Sequence, residues 1–283
     1  MVSFKSLLTA TTLATAVLAI PHSGHGHGSH KHRSTHVASK RTSSSKRGAA
    51  YNSASSVHTL TSGSSGNGTV SWAYDWNMYA DGTLPSNVEY VPMLWGSKMF
   101  GGWLTAIETA LDSGSNYIMG FNEPDSSSQA SMTASEAASS YKNYITPYSG
   151  KAKLVTPAVT SSTTEGEGLS WMKSFLSECS ECDMSVLAVH WYGTSADEFK
   201  SFVQEAMQVA DDNGLDETWV TEFALTSDES AGGDESSAAD FLDEVLPWLD
   251  SQSGVGRYAY YMCADGYLLS GEELSSSGKV YVA

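Results

Sequence analysis

Two glutamates of this 283-residue chain stand where a carboxylate is costly to place, each at the end of an apolar run. Glu123 lies in Gly120-Phe121-Asn122-Glu123-Pro124-Asp125, directly after Tyr117-Ile118-Met119, and Glu222 lies in Trp219-Val220-Thr221-Glu222-Phe223-Ala224. Ionised carboxylates resist desolvation, so each needs either an ion-pair partner or a chemical task. Partners are scarce, because beyond residue 47 eight Lys or Arg face 32 Asp or Glu. Two carboxylates across a pocket can cleave a glycosidic bond, one as the proton donor and the other as nucleophile or base on the opposite face of the sugar. Trp and Tyr at neighbouring positions fit the same chemistry, since their rings stack on the apolar faces of sugars. The ends of the apolar runs offer no serine elbow, no metal-ligand cluster and no nucleotide loop, and the histidines crowded between His22 and His36 suit a removable segment better than a metal site, so neither a metal nor a cofactor is expected.

To present such carboxylates the chain must hold them at strand ends. Short strand-like runs do alternate with helical ones. The strands are predicted over 71–76, 90–95, 117–122, 153–159, 186–192, 218–223 and 257–262, and the helices over 103–111, 134–144, 171–176, 197–213 and 238–249. This order predicts a parallel sheet with helical crossovers. Runs that are apolar throughout, such as Val186-Leu187-Ala188-Val189, predict cover on both sheet faces. A somewhat short (β/α)8 TIM-type barrel over 67–283 is expected, with an eighth, irregular or missing early strand between Trp76 and Tyr90. A doubly wound sheet is the alternative, weakened by the lack of a Gly-rich loop after the first strand. In a barrel the strand ends carry the site, which selects Trp72, Asp75, Trp76, Trp95, Asn122, Glu123, Asp125, His190, Trp191, Tyr192, Glu222, Tyr260 and Tyr261.

The first residues read differently. Lys5 followed by an apolar stretch to Leu18 is the pattern of a secretory signal over 1–19. Residues 20–66 hold seven of the eight histidines, six of them between His22 and His36, and much Ser, and are expected to be a disordered pro-segment and linker, with processing after the dibasic Lys46-Arg47. Asn67-Gly68-Thr69 is a glycosylation sequon. All seven basic residues of 1–47 lie in a stretch with no acid. The remainder is strongly acidic, which disfavours nucleic acid or anionic membrane as partner and suits a neutral ligand. A secreted monomer without a membrane span is expected. Cys179 and Cys182 suit a local disulfide, and Cys263 a buried thiol.

The motifs Gly120-Phe121-Asn122-Glu123-Pro124-Asp125, Ala188-Val189-His190-Trp191-Tyr192-Gly193 and Trp219-Val220-Thr221-Glu222-Phe223-Ala224 together resemble glycoside hydrolase family 128. This is the family of fungal endo-β-1,3-glucanases related to alkali-sensitive-linkage cell-wall proteins. Ser71-Trp72-Ala73-Tyr74-Asp75-Trp76 and Val91-Pro92-Met93-Leu94-Trp95-Gly96 extend the resemblance, which runs from about Ser71 to the C-terminus. It implies a retaining barrel enzyme with its acid/base at strand 4 and its nucleophile at strand 7. Two predicted strands lie between the glutamates, which agrees with that spacing. The resemblance implies Glu123 as acid/base, Glu222 as nucleophile and Asn122 on the sugar 2-hydroxyl. His190 and Tyr192 would tune the glutamates, and Trp72, Trp95 and Trp191 would be sugar platforms. Asp125 is expected to fix the turn after Pro124. The expected partner is β-1,3-glucan, and the expected carboxylate separation is about 5–5.5 Å. Hydrolysis of another β-glucan or mannan, non-hydrolytic wall binding and transglycosylation are the alternatives.

Overall fold

The computed structural model describes residues 45–64, 69–228 and 235–283, all within one unit, Thr42–Ala283. The expected signal (1–19), the histidine-rich stretch and the sequon at Asn67 lie outside the described residues. Eight parallel strands follow the chain: β1 (Gly48–Ala50), β2 (Trp72–Tyr74), β3 (Glu89–Tyr90), β4 (Tyr117–Ile118), β5 (Lys153–Val159), β6 (Met184–Gly193), β7 (Glu217–Leu225) and β8 (Val255–Tyr258). Helix α1 (Ala54–Ser62) joins β1 to β2, and an irregular segment joins β2 to β3. The later crossovers are α2 (Phe100–Asp112), α3 (Ala134–Tyr144), α4 (Gly168–Glu178), α5 (Ala196–Asp212) and α6 (Glu235–Ser251). A short hairpin of β9 (Leu269–Ser270) and β10 (Glu273–Leu274) and helix α7 (Ser276–Tyr281) end the fold.

Strands β4 to β8 form a parallel, curled half-barrel sheet in chain order, and β1, β2 and β3 form a second parallel sheet. Single parallel bridges connect the two: Met93 with Met119 on one side, Arg47 with Tyr258 and Tyr51 with Cys263 on the other. The early strand missing from the sequence reading is therefore not between Trp76 and Tyr90. That interval is a loop of bends and turns, where Asp75 accepts hydrogen bonds from Tyr90 Oη (2.8 Å) and the Asp81 amide (2.8 Å). The eighth strand is Gly48-Ala49-Ala50, within residues expected to be linker. Three small residues give no alternating pattern, so nothing local marks them as a strand. Gly48 is required there, because a Cβ would fall 2.2 Å from the Trp72 ring.

The period-2 alternation of strands divides the core in two. Val186 and Ala188 of β6 point into an inner cluster with Trp72, Tyr74, Val155, Ala158 and Trp219. Leu187, Val189 and Trp191 point outward, into the layer beneath the helices. Helix α5 meets that layer with Phe199, Val203, Ala206 and Ala210, spaced three or four apart as one helix face requires. Helix α3 starts with a capping box between Thr133 and Glu136. Cys179 and Cys182 form the expected disulfide after α4, with Cα atoms 5.2 Å apart, and Cys263 is a buried free thiol whose pKa burial raises.

Lys46-Arg47, expected as a processing site within the pro-segment and linker of 20–66, is built into the fold. Lys46 Nζ donates to the carbonyls of Leu249, Asp250 and Gln252 at the end of α6. The buried Arg47 guanidinium donates to Tyr258 Oη, the Tyr281 and Ala283 carbonyls and Asp250. This clasp ties the start of the fold to its end. Replacing Arg47 by Ala strands buried acceptors and one carboxylate, and is expected to lower unfolding free energy by about 3 kcal/mol, measured by urea titration.

Candidate active site

The glutamates reach the same place by different local devices. Glu123 follows β4 on a loop held by backbone bonds from the Asn122 amide to the Trp95 carbonyl (2.9 Å) and from the Glu123 amide to the Ala158 carbonyl (2.7 Å). Gly120 lets this loop press against β5, since a Cβ there would lie 2.6 Å from the Pro157 nitrogen. Glu123 itself adopts φ +41°, uncommon for a residue with a side chain and typical of positions held for function. Glu222 lies within β7. Trp219 faces the inner cluster, so plain alternation would turn residue 221 inward rather than 222. The β6–β7 register shifts between Val189 and His190, pairing His190 with Glu222. That irregularity re-aims the strand and brings Glu222 into the interior.

His190 joins the pair. Its Nδ1 donates to Glu123 Oε1 at 2.8 Å. Its buried Nε2 lies 3.4 Å from Glu222 Oε1, a charge contact without hydrogen-bond geometry. The Glu222 carboxylate is fixed by donors on several sides: Trp76 Nε1 at 2.7 Å, Tyr192 Oη at 2.6 Å and, more weakly, Tyr74 Oη at 3.5 Å, which also bonds the Thr221 carbonyl at 3.0 Å. Burial foremost, with the Glu222 charge, pushes both tyrosines far above their usual range, so they stay neutral donors. Burial alone would lower His190, but the carboxylates of Glu222, Glu123 and Asp125 outweigh it and raise the imidazole above 6.5. A raised histidine contributes stability that is complete below its unfolded pKa and is lost as pH rises through the native one. Thermal stability is therefore expected to fall above about pH 6.5, and His190→Gln should remove that component of the pH profile.

Glu123, Glu222, Trp76 and Tyr192 line a cavity of about 960 Å³ together with Trp95, Asn122, Asp125, Gln129, Tyr261 and a hydroxyl-rich wall over 160–163. Of the sequence-selected residues, Trp76, Trp95, Asn122, Glu123, Asp125, Tyr192, Glu222 and Tyr261 line it, Asp75 and Tyr260 do not, and His190 lies between the two glutamates. Trp191 and Trp72 are corrections. Trp191 is on the opposite strand face, buried among Phe199 and Phe241. Trp72 faces inward but lies deeper, packed on Tyr74 and Trp219 with Arg257 over its ring. Asp125 does not close its own turn. It accepts from the Thr160 amide and hydroxyl and from the Gly168 amide, tying the β4 loop to the β5 loop. Tyr74 was missed, and Trp76 was selected as a strand-end residue but not as a partner of Glu222, although alternation through Trp72, Tyr74 and Trp76 places all three on one face. Asn122 donates to Gln129 Oε1 at 3.3 Å.

Glu123, His190 and Glu222 offer ligand atoms within 4.8 Å of one another, the one such group among the described residues. Glu123 Oε1 and both Glu222 oxygens are already engaged by the imidazole, Trp76 and Tyr192, so a cation held by those atoms would have to displace bonds that hold the pair.

Two close carboxylates, one after β4 and one within β7 of a parallel α/β sheet, have the arrangement that chemistry on glycosidic bonds requires. The family described as "Glycosyl hydrolase catalytic core" matches residues 48–281. The chain belongs to glycoside hydrolase family 128. A family 128 subgroup III enzyme of Blastomyces gilchristii, described as a curdlan-specific exo-β-1,3-glucanase in complex with glucose, is 40% identical, with 84% of this chain and 97% of that one covered and a TM-score of 0.76. A subgroup II endo-β-1,3-glucanase of Sorangium cellulosum is 27% identical, covering 84% and 98%, with a TM-score of 0.69. Alkali-sensitive linkage protein 1 of Schizosaccharomyces pombe (strain 972 / ATCC 24843) is 28% identical over 229 residues, 76% of this chain. The chain spans 40% of that relative's length.

Proposed function

We propose that this chain is a secreted β-1,3-glucan hydrolase that works by double displacement with Glu222 as nucleophile and Glu123 as acid/base. The two parallel sheets, joined by single bridges at both edges, are taken as one closed (β/α)8 barrel, with the glutamates at its fourth and seventh strands. The observation that carries the mechanism is that carboxyl oxygens of Glu123 and Glu222 lie within 4.8 Å of one another. That separation favours retention at about 5–5.5 Å over inversion, which leaves room for a water at about 6.5–9.5 Å.

In the first step a Glu222 oxygen attacks the anomeric carbon while Glu123 delivers its proton to the departing glycosidic oxygen. In the second, Glu123 takes a proton from water, and that water displaces Glu222 from the sugar. Trp76 and Tyr192 hold Glu222 in line for attack, and the His190 contact to Glu123 keeps the two carboxylates in register. Asn122 at the cavity wall is the partner for the 2-hydroxyl, an interaction that strengthens in the transition state. Trp95 and Tyr261 supply aromatic surface.

Incubation with linear β-1,3-, β-1,4- and mixed-linkage glucans tests this: release from β-1,3-glucan alone is expected. Binding of β-1,3-glucan without release would instead favour a wall-binding protein. Internal cleavage is expected, giving a ladder of oligosaccharides. The exo-acting Blastomyces relative favours a second reading, removal of end residues, which would show as a single small product from the first minutes. No helix among the described residues is long and apolar enough to cross a membrane.

A further inference from the structure

A second cavity, of about 510 Å³, adjoins the first. Four residues line both: Ser161, Ser162, Thr163 and Glu167. The two spaces therefore share one wall, the loop between β5 and α4, and the second continues outward between α4 and α5. Half-buried Phe202 of α5 lines it, and Lys173 and Glu205 form an ion pair at 3.9 Å between the two helices.

The shared loop is braced rather than loose. Asp125 receives the Thr160 and Gly168 amides, Ser162 Oγ donates to Glu167 at 2.6 Å, and the Gly166 amide donates to Ser170 Oγ at 3.1 Å. Gly168 sits at φ +53°, with Ser162 O only 2.1 Å from where a Cβ would be. A fixed rim of hydroxyls and carboxylates beside an aromatic ring is the composition that recognises a neutral polyol: hydroxyl groups for its hydroxyls, an apolar face for its ring. Glu165, Glu167 and Glu205 against the single Lys173 disfavour an anionic polymer.

We propose that a β-1,3-glucan chain bound at the catalytic pair continues across the Ser161–Thr163 rim into this groove, where Phe202 carries a distal sugar. This rests on the glucan specificity proposed above. It makes Phe202 a determinant of chain length, remote from the reacting atoms.

The test separates the groove from catalysis by measuring binding in a chain that does not turn over. In a Glu222→Gln background, calorimetry with laminari-oligosaccharides from the trisaccharide to the heptasaccharide is expected to show affinity rising with length. Adding Phe202→Ala should weaken the longest ligands by about tenfold, the worth of one aromatic contact, and leave the trisaccharide unchanged. Phe202→Trp should restore the gain. In the otherwise wild-type enzyme, Phe202→Ala should lower kcat/KM for long chains and not for short ones. Equal weakening at every length would mark Phe202 as packing only and overturn the proposal, as would a length gain that survives Phe202→Ala. If the wild type cleaves no glucan yet the length-dependent binding follows Phe202, the hydrolase function fails and the groove stands. If no oligosaccharide binds, the groove falls as well.

Discussion

Glu222→Ala is expected to reduce β-1,3-glucan hydrolysis by about 10⁴-fold or more, the scale on which removal of a nucleophile acts. Truncation also leaves a small space ringed by the donors of Trp76 and Tyr192. Azide, an anion small enough for that space, should then attack the anomeric carbon directly from the face Glu222 used. On an activated β-glucoside the product is expected to be the α-glycosyl azide. Recovery of activity with this stereochemistry, followed by nuclear magnetic resonance, assigns the nucleophile rather than merely an important residue. An inert variant with and without azide, but folded by circular dichroism, would remove Glu222 from that role.

Glu123→Gln is expected to lose about 10²–10⁴-fold on glucan, the range of general acid–base catalysis. The loss should depend on the leaving group. An aryl glucoside with an acidic phenol departs without protonation, so its first step should be nearly intact, and the slow second step should let the glycosyl-enzyme accumulate as a burst. The amide also removes the charge that His190 Nδ1 faces at 2.8 Å. Because Glu123 is one of the carboxylates that hold the imidazole high, the His190 titration should move downward in this variant, visible in its ring proton shifts. A uniform loss on all substrates, with no burst, would contradict the acid/base assignment.

Much of the site was legible because strand-end carboxylates after apolar runs leave a mark that composition cannot imitate. Glu123 and Glu222 follow from it, and His190 and Tyr192 from their place at the end of a neighbouring apolar strand. The count of two strands between the glutamates held even though the eighth strand was misplaced. What was missed has physical reasons. Gly48-Ala49-Ala50 has no side chains large enough to show a pattern, and its partners, the strand from Trp72 and the Cys263 amide that donates to the Ala50 carbonyl, are distant in sequence. Lys46-Arg47 reads as a cleavage signal because its acceptors are carbonyls of residues some two hundred positions away. Trp191 and Trp72 were chosen as aromatics near predicted strand ends, without regard to which sheet face they occupy. Alternation from His190 to Trp191 already puts the latter outside, and Trp72 precedes Trp76 by two inward layers. The hydroxyl wall over 160–163 carries no motif, since Ser and Thr in a loop look the same whether they touch sugar or water.

The most direct measurement is the configuration of the first product. Proton spectra taken within the first turnovers on a β-1,3-glucan oligosaccharide resolve the new reducing end before mutarotation mixes it. Attack by Glu222 and then by water inverts the anomeric carbon twice, so the β-anomer is expected to appear first, with the α-anomer following only by mutarotation. An α-anomer at the outset would mean a single displacement by water and would contradict a covalent role for Glu222.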